Sequence, residues 1–416
     1  MEGFSMTGLV KITDPSVAFA LTQVLSILYL SDVPVRLVKW RSSDDPRISA
    51  MKIPPPAALY DKAVYTNKGL KKLSRSGLPW KATSASIRAL ISLAECLKVS
   101  GFKLSPVAFA DELKAIAALQ LQYCLDFMPG GICEISDIAA VLEAGSGFLM
   151  VCGNGPADIA KNPKPSLDAL YERIISDCSI QSRSTMELAW ISRGIAAWDL
   201  YKQRSDNDLV LSEIVLEIIS RKSISGLFSR HSSNTASAPL GQQFFILDAI
   251  TAAYPFVRLE VVKNRITEIF GRLVNIAYRE TPGMFAFWRK EASLSAFDAG
   301  AFFSCLDRIS GYIDDPDNKE VISRFRHTAV DLLIKPYVNR YRTSILKGIK
   351  WYSIMRNSYD SRIYYRKALC PVFPKRFSVG HDCRLELSCR RMVRTSDLMY
   401  LSASLLRSEC CNMHKR

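Results

Sequence analysis

The chain has 416 residues, 48% hydrophobic and 23% charged, with Gly (20) and Pro (19) near or below ordinary usage. This excludes a disordered chain and disfavours a turn-rich β-sandwich; it suits one large helical domain or two to three smaller ones. The formal net charge of +15 is unevenly held: residues 336–416 carry 17 Lys+Arg and 5 Asp+Glu, leaving 55−17 = 38 basic and 40−5 = 35 acidic groups, a net of +3, for the rest.

The eleven cysteines include no C-x-x-C pair, and those up to Cys305 stand mostly in apolar surroundings. Buried free thiols in a reducing compartment account for them better than a disulfide framework. The uncharged run over residues 15–31 is seventeen residues long and contains Thr22, Gln23 and Ser26. It sits at the short limit for a bilayer span and lacks the flanks of a signal peptide, so it reads as a buried helix. No transmembrane segment is expected, and the expected location is cytoplasmic.

Residues 1–82 form an N-terminal arm and the first helices, interrupted by Pro46 and by Pro54-Pro55-Pro56. From residue 83 a pattern sets in. The segment 83–100 has Ile87, Leu90, Ile91, Ala94 and Leu97 at helical spacing, a Thr or Ser to cap its start, and Gly101 after its end. A second helix over about 106–127 is broken by Pro129-Gly130-Gly131. Small or apolar segments then recur at 136–149, 184–201, 239–254 and 293–313. Each is followed by an amphipathic one, at 165–177, 208–222, 258–278 and 318–337. With Leu90, Val141, Trp190, Phe245 and Phe302 as centres, the steps are 51, 49, 55 and 57 residues.

A helix apolar nearly all round must be covered on every side, whereas its partner has one wet face. Alternation of the two at about fifty residues per pair suits helical hairpins closing into a ring; solenoid repeats are shorter, roughly 34–47 residues. The layout resembles the α/α toroid class, which includes six-hairpin glycosidases, sugar epimerases, lanthionine cyclases, terpene cyclases and prenyltransferase subunits. The resemblance implies an all-α fold with a ring over residues 83–337, to which residues 1–82 would add a sixth hairpin. A basic, aromatic-rich and irregular C-terminal segment, 338–416, follows.

In such a ring the pocket lies where the inner helices begin. The polar groups at those positions are Glu134, Asp137, Glu187, Gln242, Gln243 and Asp298. A carboxylate pair such as Glu187 and Asp298 can serve as general acid and base on a glycosidic bond; each also suits a helix cap, with no catalysis implied. Asp298 stands out because Phe297, Phe302 and Phe303 surround it. Trp190, Tyr254 and Trp288 are the candidate substrate-stacking aromatics, against the alternative that they are core.

No complete phosphate-loop or dinucleotide fingerprint is present. His381, Asp382, Cys383 and Cys389 lack the paired spacing of a zinc site, so no metal is expected, and no cofactor is indicated. In the C-terminal segment Arg340, Arg342, Lys350, Trp351, Arg366 and Lys367 combine cations with aromatics, as sites for nucleic acid or another polyanion do. Three readings follow: a carbohydrate-active toroid enzyme acting on a carbohydrate or other small molecule; a scaffold that binds polyanion through its basic segment; and a structural protein without catalysis.

Overall fold

The computed structural model describes residues 14–30, 62–66, 69–74, 80–99, 106–128, 133–153, 163–204, 209–232, 236–277, 294–312, 316–339, 374–379, 385–389 and 392–413. Its helices are α1 (Pro15–Leu30), α2 (Trp80–Val99), α3 (Pro106–Phe127), α4 (Ile135–Cys152), α5 (Lys164–Asp177), α6 (Thr185–Lys202), α7 (Leu209–Ser220), α8 (Leu240–Val257), α9 (Glu260–Ala277), α10 (Ala296–Tyr312), α11 (Pro316–Ala329) and α12 (Thr395–Met413). A π-helical turn, Val330–Ile334, continues α11.

The even-numbered helices form a closed cycle. Helix α2 packs on α4, α4 on α6, α6 on α8, α8 on α10, α10 on α12, and α12 returns to α2. The odd-numbered helices lie outside: α3 and α5 flank α4, α7 and α9 lie against α8, α11 against α10, and α1 covers α12 and α2. The protein is an all-α, α/α toroid.

The inner helices run parallel. Near their starts, Lys81 of α2 reaches Ser136 and Asp137 of α4, and Asp298 of α10 lies against Gly241 at the start of α8. Inner positions are apolar because they are enclosed on both flanks and from outside; Leu90, Val141, Phe245 and Phe303 are fully buried. Helix α4 is long and apolar enough to cross a membrane, but it is mostly buried as an inner member of the ring.

Two features differ from expectation. Residues 1–82 supply an outer helix, α1, but the sixth inner helix is α12, from the C-terminal end. Its residues 398–406 carry no charge and are buried. Close approach of α10 to α12 requires Gly300, where a Cβ would stand 2.7 Å from the Tyr400 ring and 3.0 Å from the Leu401 Cα. Helix α1 covers this closure from outside by packing on α12 and α2, and it is tied to the chain that follows α11: Phe19 packs edge-on to Tyr337 at 5.1 Å, and Gln23 Nε2 donates to the Tyr337 hydroxyl at 2.9 Å.

The second difference is the presence of short strands. β1 (Lys62–Thr66), β2 (Gly69–Ser74) and β6 (Met392–Arg394) form one antiparallel sheet in the order β2-β1-β6. β3 (Leu294–Ser295), β4 (Pro374–Val379) and β5 (Leu385–Cys389) form another. Strand β6 leads directly into α12 and β3 into α10. Part of the basic C-terminal segment is thereby brought to the end of the ring where the inner helices begin, which we call the mouth.

Candidate functional site

Each inner helix sends a polar side chain to the ring axis. Arg88, Glu143, Arg193, Asp248 and Ser304 are each the ninth residue of α2, α4, α6, α8 and α10, so they lie at one depth. Tyr400, the sixth residue of α12, completes the set. Arg193 is the hub. Its Nη2 and Nε donate to Glu143 Oε1 at 2.6 and 3.2 Å, and its Nη1 donates to Asp248 Oδ2 at 2.5 Å and to the Tyr400 hydroxyl at 3.0 Å. Arg88 Nη1 pairs with Glu143 Oε1 at 3.2 Å. Arg308, one turn beyond Ser304, donates to Asp248 Oδ1 at 2.7 Å, and the Ser304 hydroxyl donates to Asp248 Oδ2 at 3.0 Å.

Charges alternate along this belt: Arg88, Glu143, Arg193, Asp248, Arg308. Isolated buried charges would be prohibitively costly, and each carboxylate here is shared between two guanidinium groups. Burial pushes the Glu143 carboxyl up, but Arg193 and Arg88 outweigh it and hold it below the usual range. For Arg193, burial works against the charge, while Glu143, Tyr400 and Asp248 raise its pKa well above normal. The Tyr400 hydroxyl is pushed up, chiefly by burial.

Nearer the mouth stands a wall of aromatic rings. Trp190 lies 4.5 Å from Phe245, Phe245 lies 5.5 Å from Phe297, and Phe297 stacks on Tyr400 at 5.2 Å. The Arg193 guanidinium sits 4.8 Å from the Phe245 centroid, 5.7 Å from Tyr400 and 5.9 Å from Trp190. These rings therefore provide cation–π support as well as packing. Lys81 extends over Trp190 at 6.0 Å.

The acids expected from the sequence lie at this end, each engaged with its own helix. Glu187 forms a capping box with Ser184: Oε2 accepts from the Ser184 backbone N–H at 2.8 Å and hydroxyl at 2.6 Å. Arg183 approaches its other oxygen at 3.8 Å. Partial burial raises the Glu187 carboxyl, but the Ser184 bonds and Arg183 outweigh it and leave it below the usual range. Asp298 and Ser295 form the corresponding exchange in α10, at 3.0 and 3.1 Å. The Asp298 carboxylate rests on Gly241, where a Cβ would overlap it. Its place among phenylalanines thus follows from helix capping against the bare backbone of α8. Glu134 and Asp137 cap α4 and pair with Lys81 at 3.9 and 3.3 Å.

Gln243 is buried and holds a loop. It accepts from the Phe228 N–H at 3.0 Å and donates to the carbonyls of Phe228 and Ala238 at 2.8 and 2.9 Å. The same loop is tied to the start of α6, where Thr185 Oγ1 donates to the Ser229 carbonyl at 2.7 Å.

Trp190 lies in the aromatic wall, but Tyr254 does not. It is at the far end of α8, edge-on to Tyr312 at 4.9 Å. Trp288, Arg340, Arg342, Lys350, Trp351, Arg366 and Lys367 lie outside the described residues. Among the described residues, no three of His, Cys, Asp or Glu are gathered as a metal site.

The chain is similar to a solved structure titled unsaturated glucuronyl hydrolase specific for heparin. The identity is 11% and the TM-score 0.46, with 94% of this chain and 98% of that chain covered. No described protein family matches the sequence, and no curated protein does. The toroid architecture rests on the closed cycle of helix contacts within this chain.

Sequence reasoning looked for polar residues in the first turns and missed the belt. The available signal was a charge at the same place, the ninth residue, of four dense helices: Arg88, Glu143, Arg193 and Asp248 recur at steps of 55, 50 and 55 residues.

Proposed function

We propose that the mouth of the ring is the functional site and that it binds a sugar-like small molecule, as a carbohydrate-active enzyme of the acid/base type would. One observation carries this reading: aromatic faces and first-turn carboxylates converge on the same end of the ring. Aromatic rings offer flat apolar faces to sugar C–H surfaces, and the carboxylates supply proton transfer. Within this reading Glu187 and Asp298 are the two carboxylates of the acid/base pair, and Glu187 is held below the usual carboxyl range.

The test is turnover of a panel of aryl glycosides by the full chain and by Glu187→Gln, Asp298→Asn and Trp190→Ala. The reading expects the two carboxylate variants to lose about a hundredfold or more in kcat, and Trp190→Ala to raise KM. Turnover undiminished in both carboxylate variants, or absent from the wild-type protein across the panel, refutes it.

A second reading rests on the charge division of the sequence, with net +12 in residues 336–416. In it the basic segment binds nucleic acid or another polyanion through Arg340, Arg342, Lys350, Trp351, Arg366 and Lys367. Heparin and single-stranded DNA retention of a variant with Arg340, Arg342, Lys350, Arg366 and Lys367 all changed to Ala tests it; unchanged retention sinks it. Truncation is unsuitable, because it removes α12.

A further inference from the structure

The axial belt is sealed at its hub and less tightly covered at its two ends, Arg88 with Glu143 at one and Arg308, 20% exposed, at the other. Arg193 and Asp248 keep 1% and 0% of their side-chain surface, whereas Glu143 and Arg88 keep 10% and 15%. The cause lies one turn nearer the mouth. At the sixth position of each inner helix, α6, α8 and α12 carry Trp190, Phe245 and Tyr400. Helix α10 carries Ala301 there but supplies Phe297 just above it. The neighbouring helices α2 and α4 carry only Ala85 and Ala140. These alanines precede Arg88 and Glu143 by three residues, on the same helix face. The missing bulk therefore lies over Arg88 and Glu143.

A second observation concerns Glu143 itself. Its Oε1 takes every guanidinium contact, from Arg193 at 2.6 and 3.2 Å and from Arg88 at 3.2 Å. Its Oε2 is buried and has no hydrogen-bond partner among the described residues. Side chains of a helix lean toward its N-terminus, which for α4 is toward the mouth. A buried carboxylate oxygen without a donor is costly, and a donor from outside the protein removes that cost.

We propose that Arg88 and Glu143 form a ligand-binding pair at the floor of the mouth, entered beside Ala85, that takes two vicinal hydroxyls of a neutral polyhydroxylated ligand. One hydroxyl donates to Glu143 Oε2, and its neighbour accepts from the Arg88 guanidinium. A hydroxyl pair fits because it offers a donor and an acceptor side by side. A cationic ligand is disfavoured, because Arg88 and Arg193 both stand at Glu143. The inference rests on the mouth being a sugar-type site and names the side chains that read the ligand there.

Saturation-transfer NMR of the full chain with cis- and trans-cyclohexane-1,2-diol, cyclohexanol and methyl β-D-glucopyranoside tests it. The expected result is transfer to the glucoside and to at least one diol, with cyclohexanol weaker by about tenfold or more. Ala85→Leu fills the entry while leaving the charged belt untouched, and it should abolish the signal. Glu143→Gln should weaken it, and Ala85→Leu keeps the test decisive if that variant fails to fold. Binding that survives Ala85→Leu but is lost in Trp190→Ala overturns the pair and leaves the mouth reading standing. A wild-type protein that binds none of the probes overturns the pair, its orphan oxygen then serving bound water alone.

Discussion

Replacing Arg193 by Met removes the guanidinium that joins three inner helices while keeping most of the side chain's apolar volume. In the native ring Arg193 is 1% exposed and bonds to Glu143, Asp248 and Tyr400. Breaking a buried ion pair from one side typically costs about 3–5 kcal/mol, much of it the penalty on the stranded partner. Arg88 and Arg308 remain beside Glu143 and Asp248, so neither carboxylate is left without a cation, and the loss stays within that range. Unfolding entropy of about 2.1 cal/mol/K per residue amounts to about 0.9 kcal/mol/K for a chain of this length, so Tm should fall by about 3–6 °C. Melting followed by circular dichroism at 222 nm and neutral pH measures this. Arg193→Lys, which keeps the charge but not the fork, should fall between the two. In the Arg193→Met background, Asp248→Asn should cost less than it does alone, because the carboxylate it removes is already undercompensated. An Arg193→Met chain melting within about 1 °C of wild type would refute the belt as a determinant of stability.

Two further outcomes follow from the same geometry. Gly241→Ala places a methyl where the Asp298 carboxylate lies; the α10 cap should be displaced, with a loss of about 1–3 kcal/mol, read as a lower Tm that Asp298→Ala in the same chain partly restores. Acid should unfold the ring through Glu143. Its carboxyl is depressed in the folded state by Arg193 and Arg88, against the upward push of burial. The stability it contributes is therefore complete above the unfolded value of about 4.3 and is lost as pH falls through the lower folded value. Tm should be nearly flat from neutrality to about pH 5 and drop below about pH 4, with a shallower acid limb in Arg193→Met; an identical limb in that variant would contradict the assignment.

Much of the ring was legible because dense and amphipathic helices alternate: burial on every side demands the first kind and one wet face permits the second. Caps were legible for the same local reason. Ser184 and Glu187 stand at the three-residue spacing of a capping box, and the structure forms that box. Helix α12 was hidden because composition averages over a segment. The positive charge of 336–416 masks an uncharged run, 398–406, that is buried within the ring. Arg193 and Asp248 were hidden differently. A charge within a helix normally marks its wet face, and only closure of the ring turns the ninth residues of neighbouring helices toward one another. Asp298 looked unusual beside Phe297, Phe302 and Phe303 until the adjacent helix start, bare at Gly241, was in place.

The belt also gives the mouth its chemical character. It fixes a charged floor beneath an aromatic wall, and ion pairs joining successive inner helices set their relative depth. Buried charges of this kind contribute less to net stability than well-packed apolar residues of the same volume. Their positional role is the stronger one here: Arg193 and Arg88 both engage Glu143 Oε1 and leave Oε2 without a hydrogen-bond partner among the described residues.

The most direct measurement is the cooperative melting of a chain ending at Arg394. Without α12 the cycle from α2 to α10 is open, Arg193 loses the Tyr400 hydroxyl, and the surfaces of α2 and α10 that pack on α12 are bared. The account predicts a broad transition, or none, together with strong binding of a hydrophobic dye. A truncated chain that melts sharply at the wild-type temperature would show that the ring does not depend on its last helix, and would contradict the account.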